Sequence, residues 1–470
     1  MALAGSATAL SVLAPEGARA AARRAQPNIL FILADDLGYA DLSCYGRRDI
    51  ATPHIDRLAT EGVRFTQAYA NSSVCSATRA ALITGRYQYR LRVGLEEPLR
   101  EIPGIGMPPA HPTLPSLLRA AGYRTALVGK WHLWKLPQFG PLQSGYETFY
   151  GFRSGAVDYY LHTSPLDEKD LWDGDTLIEQ QGYATDLVGD RAVSLVEKYV
   201  RGNAPFFMSV HFTAPHWPWE APGDDSESKR LAGNGLFHFD GGTMAVYKQM
   251  VERMDQQVGR ILGALKRGGA AKDTIVIFTS DNGGERFSDT WPFSGRKTEL
   301  LEGGVRVPAL LRWPGRVAMG RVSEQVIMTM DWMPTLLAAA GTGADPAYPP
   351  DGMSLLGNLT QGAADVPRKL FWRFKSNAQR SARDGNFKLL KIQQNTFLFN
   401  VADDPQEKAN LKDRHRDVYE RMTREWDAWN QTMLPELPET APAMQPASDT
   451  PDRYGVPAAP EAVDDVSVWP

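Results

Sequence analysis

The sequence predicts an α/β chain: a mostly parallel central sheet flanked by helices, with a smaller C-terminal antiparallel α+β subdomain. Three observations carry this. Continuous apolar runs of strand length alternate with helical patterns up to about residue 280. These runs lead into polar residues, at the strand ends where open α/β sheets bind ligands. Beyond Pro367 the runs become short and closely spaced, joined by tight turns.

Residues 28–34 (Asn-Ile-Leu-Phe-Ile-Leu-Ala) read as a strand buried on both faces, stopping at Asp35-Asp36. Thr52 as N-cap and Pro53 in the first turn open a helix with Ile55, Leu58 and Ala59 on one face. A helix over 114–121 precedes a second strand at 125–128, and a third spans 205–212, ending near Pro215-His216. Val251, Met254, Val258, Ile261 and Leu265 recur at helical spacing over 244–265. A fourth strand, 274–279, runs into Asp281-Asn282-Gly283-Gly284. In the C-terminal part, 370–373, 387–392 and 396–400 read as strands and 413–432 as a helix. The chain thus divides into a leader or signal-like segment (1–25), a main domain (26–365), the α+β subdomain (366–434) and a Pro/Asp-rich tail (435–470).

With 470 residues, 43% of them hydrophobic, the chain can bury a large core. A formal charge of −4 lacks the basic excess that nucleic acid requires. No apolar run is long enough for a membrane span. Residues 2–14 are small and apolar, and Ala18-Arg19-Ala20 looks like a signal-peptidase site, but no Lys or Arg precedes the apolar stretch. Export to the periplasm or medium, with the true start upstream (a twin-arginine signal, for example), is one reading. An Ala-rich leader on a cytoplasmic protein is the other.

Asp35, Asp36, Asp281 and Asn282 are oxygen donors at the ends of two expected strands, a set suited to Ca²⁺ or Mg²⁺. Each pair alone also reads as a solvated turn, where Asn and Gly tolerate left-handed backbone. The eight His show no zinc spacing. Cys75 is one of two cysteines and precedes a helix expected near Thr78, so it would face backbone N–H donors, with Arg79 one turn on. A buried structural thiol, or a disulfide with Cys44 after export, is the plain alternative. Lys130 and His132 follow a strand and, if extended, point to the same side, a pairing that binds an oxyanion and moves a proton. A surface Lys and a capping His fit equally. His216 lies on a Pro-punctuated loop between Trp217 and the strand before it. Lys297 reads alone as an ordinary exposed Lys.

In order and context these segments resemble the sulfatase family over roughly residues 27–430. The resemblance runs through Pro27 to Gly38, Thr52 to Ala59, the signature from Cys75 to Gly85, Gly129 to Leu133 and Gly145 to Phe152. It continues in Asp281 to Gly284, Gly295-Arg296-Lys297 with Glu302-Gly303-Gly304, and Asp331 to Thr335. Asp158-Tyr159-Tyr160 looks most like the arylsulfatase B and galactosamine-sulfatase side.

The resemblance implies an alkaline-phosphatase-like fold, with residues 26–365 as the catalytic domain, and one divalent cation, usually Ca²⁺. Asp35, Asp36, Asp281 and Asn282 would bind it. Cys75, oxidised to formylglycine (3-oxoalanine) by a formylglycine-generating enzyme, would complete the shell and supply the nucleophile as its hydrate. Arg79 and Lys130 would hold the formylglycine hydroxyls, and His216 and Lys297 the sulfate. His216 would protonate the leaving alcohol, and His132 would take the proton when the aldehyde is regenerated. The family core is Cys-x-Pro-x-Arg; here Ala77 replaces the Pro, which bears on conversion because Pro favours the extended substrate segment.

The resemblance therefore implies hydrolysis of aryl or carbohydrate sulfate monoesters. The alternatives are a phosphonate or phosphate diester hydrolase of the same superfamily, and a silent sulfoglycan-binding protein should Cys75 stay unconverted. Trp217, Trp219, Tyr159 and His162 are candidates for the substrate wall.

Overall fold

The computed structural model describes residues 26–232 and 242–437, so the leader 1–25 and the tail beyond 437 lie outside the described residues. In chain order the strands of the main sheet are β1 (Asn28–Ala34), β2 (Val63–Phe65), β4 (Arg124–Lys130), β5 (Thr148–Phe152), β6 (Trp172–Asp173), β7 (Thr176–Leu177), β8 (Phe206–His211), β9 (Thr274–Ser280), β10 (Ala309–Arg312) and β11 (Arg321–Ser323). A short strand β3 (Ala68–Tyr69) pairs instead with β12 (Ile327–Met328). The sheet order is β11-β2-β10-β9-β1-β8-β4-β5-β6-β7.

The middle of this sheet, β9-β1-β8-β4-β5, is parallel throughout. The four apolar runs expected as strands supply β1, β4, β8 and β9. β1 shows why they lack an alternating pattern. Leu30, Ile32 and Ala34 enter one core cluster while Ile29, Phe31 and Leu33 enter the other, so both faces are buried. Helices Met244–Arg267 and Ala184–Val200 cover the first face. Helices Cys75–Thr84, Leu114–Ala120 and Trp332–Ala339 cover the second. The long helix runs two residues past the apolar repeat because Lys266 and Arg267 complement the negative end of its dipole.

The two flanks depart from the parallel pattern. β10 is antiparallel to β9 and β2, and β6 is antiparallel to β5. The C-terminal sheet also differs from expectation. It has four antiparallel strands, β13 (Lys369–Phe374), β14 (Gln379–Asp384), β15 (Phe387–Ile392) and β16 (Asn395–Asn400). β14, Gln-Arg-Ser-Ala-Arg-Asp, escapes a hydrophobicity reading because it is held by ladders to β13 and β15 and by buried polar side chains such as Ser381 and Arg383. Leu370, Trp372 and Leu390 pack on Tyr69, Val74 and Ala77 of the main body. Leu389 and Leu398 pack on Met422 and Trp426 of helix Arg416–Asn430. Between sheet and body, buried Lys388 pairs with Glu302 (3.0 Å) and Glu407 (2.8 Å).

Candidate active site

Four parallel strands bring the polar residues to one edge. β1 leads into Asp35-Asp36, β9 into Asp281-Asn282, β4 ends on Lys130, and the loop after β8 carries His216. Backbone bonds join these exits: Asp35 N donates to Ala214 O (3.2 Å) and Asp281 N to Ala34 O (3.2 Å). The Asp281-Asn282-Gly283-Gly284 segment is not the left-handed turn its sequence suggests. A Cβ on Gly283 would lie 1.9 Å from Gly303 O, and Gly283 N donates to Gly304 O (2.9 Å). Glycine is required there by close approach of two backbones.

Cys75 is the first residue of its helix, three residues earlier than the sequence suggests. The whole helix is buried, so packing rather than a cap residue sets its start; Val74 in the N-cap position makes no side-chain cap bond. Both cysteines are free thiols, which leaves no disulfide between Cys75 and Cys44. Four residues along the same face, Arg79 donates from Nε (3.0 Å) and Nη2 (2.8 Å) to Asp281 Oδ2, and from Nη1 to Lys130 O (3.1 Å).

The remaining cations are equally buried. Lys130 Nζ donates to Asp35 Oδ2 (2.5 Å), and Lys297 Nζ to Asp36 Oδ2 (2.6 Å). Lys297, unremarkable in sequence, is 4% exposed. Three carboxylates thus face three cations, and the balance is held without solvent. Burial alone would raise Asp36, but Lys297, His216 and Lys130 outweigh it and hold the carboxyl down at about 2. Burial, reinforced by Asp281, pushes Asp35 well up against Lys130 and Arg79. Burial also pushes the Cys75 thiol up, against the pull of Lys130.

The chain does not stay extended after Lys130. His132 takes a left-handed φ of 57°, so it does not align with Lys130 as a strand would place it. Its Nε2 lies 3.0 Å from Leu99 O, which assigns the proton to Nε2 and leaves Nδ1, buried and without a partner, as an acceptor. His216 has the opposite arrangement. Its Nδ1 meets Trp217 O at 2.5 Å, so Nε2 is the pocket-facing atom, 3.5 Å from Asp36 Oδ2. Burial and neighbouring cations lower both imidazoles well below their ordinary range.

The donor set suits a hard cation. Ligand atoms of Asp35, Cys75 and Asp281 lie within 4.8 Å of one another. Asp35 Oδ1 and Asn282 Oδ1 are buried without a hydrogen-bond partner, as oxygens waiting for a metal would be. Asn282 Nδ2 donates to Asp36 Oδ1 (2.8 Å), which fixes the amide with that oxygen free.

A cleft of about 140 Å³ opens onto Cys75, His132, His216 and Lys297. Of the four wall candidates only Trp217 borders it. Tyr159 lies behind, stacked on Tyr183 and donating to His216 O (2.9 Å). Trp219 packs edge-on against Phe287, and His162 faces Gly182 O (3.0 Å). All three are core residues, because their rings satisfy neighbours rather than the opening. Sequence reasoning missed Trp134, Arg153, Leu99 and Leu166 in the walls. It also missed Gln379, whose side chain grips Leu300 N (2.8 Å) and Thr298 O (2.9 Å) and so braces the Lys297 segment from the C-terminal sheet. Only the Gly151-Phe152-Arg153 stretch beside a recognised segment offered a signal. Near Lys297, burial lifts Glu285 to about 7 despite that cation.

Residues 27–342 match the Sulfatase family model, and residues 295–431 match the model described as N-sulphoglucosamine sulphohydrolase, C-terminal. N-acetylgalactosamine-6-sulfatase of Rattus norvegicus is 33% identical over 409 residues, covering 81% of this chain and 74% of that protein. Steryl-sulfatase of Mus musculus is 33% identical over 425 residues, covering 73% of this chain and 67% of its own length. The crystal structure of Ps i-CgsB in complex with k-i-k-neocarrahexaose superposes with a TM-score of 0.77 at 30% identity, covering 86% of this chain and 92% of that one.

Proposed function

The chain belongs to the sulfatase family, has its alkaline-phosphatase-like fold and hydrolyses sulfate esters; from that premise we propose that Cys75, converted to formylglycine, is its nucleophile, beside one Ca²⁺. These matches favour neither the phosphonate or phosphate diester alternative nor the silent binder. The observation that carries the reading is the convergence of Cys75, which lines the cleft, with Asp35 and Asp281, beside Asp36 and the Asn282 amide bonded to it. Asp35, Asp36, Asp281 and Asn282 would hold the cation with the converted Cys75. When bound, the cation adds positive charge to a site whose own charges already balance, and so draws and polarises a sulfate. Converted to formylglycine, Cys75 would supply the attacking hydroxyl as its hydrate.

The chain's own residues divide the remaining work. Arg79 and Lys130, packed around the first helical turn, orient the group at position 75. Lys297 Nζ holds a sulfate oxygen. His216, charged once the negative charge of a bound sulfate favours its imidazolium, delivers the Nε2 proton to the bridging oxygen, with Nδ1 anchored on Trp217 O so that the ring cannot turn away. His132 Nδ1 accepts a proton, with Nε2 anchored on Leu99 O. Residues 26–365 form the catalytic domain in this reading and 366–434 a subdomain that braces it. The Ala-rich leader supports a periplasmic or secreted protein, and no helix among the described residues is long and apolar enough to cross a membrane.

The test is mass spectrometry of the tryptic peptide spanning residues 65–79, from protein made with a formylglycine-generating enzyme. Replacement of the Cys75 thiol by an aldehyde, with turnover of an aryl sulfate, is the expected result. An intact thiol in a fully active enzyme would overturn the nucleophile.

A further inference from the structure

Resting on the sulfatase reading, we propose that the cleft accepts one ring-sized, apolar-faced alcohol as leaving group, and that Trp134 and Leu166 select it over a sugar. The relatives named above include a sugar sulfatase and a steroid sulfatase, so similarity leaves the leaving group open. The walls do not.

Beyond the catalytic floor most of the exposed wall is apolar, from Leu99, Trp134, Ala156, Pro165, Leu166 and Trp217, and Arg100, Glu101, Arg153, Ser154, Ser164 and Thr298 line the rest. Several of these polar side chains already have partners. Arg153 donates to Glu168 (3.0 Å) and lies 3.8 Å from Asp170. Ser164 Oγ accepts from Leu166 N (3.2 Å), and Glu101 pairs with Lys135. Trp134 Nε1, Arg153 Nε and Thr298 Oγ1 are buried wall atoms without a hydrogen-bond partner. A mostly apolar wall leaves many of a sugar's hydroxyls, each of which loses water on entry, without a replacement. The cleft, about 140 Å³ and open to solvent, has room for one ring against its inner wall.

A second observation is independent of composition. Trp134 (φ 143°) and Thr298 (φ 72°) stand in backbone conformations that favour glycine, as do Asp36 (φ 62°) and His132 (φ 57°) in the catalytic floor. Such conformations persist where the surrounding structure holds them for function. The backbone of Trp134 is thus fixed by its surroundings in a conformation it would not otherwise favour. Leu166, 46% exposed, stands at the cleft with its side chain uncovered, waiting for an apolar face.

The test uses the mature, formylglycine-bearing enzyme and two primary alkyl sulfates matched in ring size and in the reacting carbon: cyclohexylmethyl sulfate and galactose 6-sulfate. Each is titrated as a competitor of 4-nitrophenyl sulfate turnover, so the readout does not depend on its own hydrolysis. The expected result is an inhibition constant at least tenfold lower for cyclohexylmethyl sulfate. Leu166→Ser, at a half-open position, should narrow that ratio at least threefold; Trp134→Ala should narrow it further, and Trp134→Phe should restore part of it. A galactose 6-sulfate that competes as well or better would overturn the proposal. So would variants that weaken both competitors equally. No turnover of 4-nitrophenyl sulfate by protein carrying formylglycine would instead overturn the sulfatase reading beneath it.

Discussion

Replacing His216 with Gln should separate its role as acid from its role as a sulfate contact. The imidazole is held by Nδ1 to Trp217 O at 2.5 Å and, through its carbonyl, by the Tyr159 hydroxyl at 2.9 Å. Its Nε2 is the atom free to reach a bridging oxygen. Removing it deletes a hydrogen bond to a charged group, ~1.5–3 kcal/mol for any sulfate ester. It also deletes general-acid assistance, which contributes ~10²–10⁴ in rate, or about 2.7–5.5 kcal/mol of barrier. Only an ester that needs the proton loses the second part. A nitrophenolate departs unprotonated, whereas a primary alkoxide does not. His216→Gln should therefore lower kcat/KM for a primary alkyl sulfate ~10²–10⁴-fold more than for 4-nitrophenyl sulfate. The assay is steady-state kinetics on both esters, with thermal unfolding as a check that the fold persists. Equal fractional losses on the two esters would refute the assignment of the acid and leave His216 as a sulfate contact alone.

Two further perturbations follow from the geometry. Chelating the bound cation should abolish turnover and lower the unfolding temperature, because Asp35, Asp36 and Asp281 are buried together; restoring Ca²⁺ to 100 times its Kd should return ~2.7 kcal/mol of stability. A chelated enzyme with unchanged activity and unfolding temperature would remove the metal from this site. Glu97 offers a pH test away from the metal: burial, against Lys375 N and Arg373, lifts its carboxyl from 4.5 to about 8. A raised folded value stabilises below pH 4.5 and is lost as pH rises through about 8, at up to ~1.4 kcal/mol per pH unit. Glu97→Gln cannot ionise, so its urea midpoint should gain on the parent from pH 5 to pH 8; parallel curves would contradict the buried neutral carboxyl.

Much of the site was legible because its residues sit in short contiguous segments. An apolar run followed by Asp35-Asp36, and another followed by Asp281-Asn282, mark two buried strands and their exits, and a parallel sheet places such exits on one edge. Cys75 and Arg79 are joined by helical spacing. Lys297 was named only through the family resemblance, since nothing local tells a Lys that ends on a buried Asp36 from one in water. Gln379 was silent for the same reason: its partners, Thr298 and Leu300, lie about eighty residues away. β14 was hidden because a strand between two others takes its hydrogen bonds from them and can be polar.

By itself, the sequence determined the α/β class, the parallel core strands, the order of the motifs and the residue types for an oxyanion and a hard cation. These depend on local periodicity and on chemistry carried by single side chains. The tertiary structure decided which nitrogen of each histidine faces the pocket, that three cations meet three carboxylates out of water, and which rings line the opening. Trp217 borders the cleft while Trp219, two residues on, packs against Phe287. Both are aromatic, both are buried, and both follow the same strand. What separates them is the set of distant segments that close around each, and that set exists only once the chain has folded.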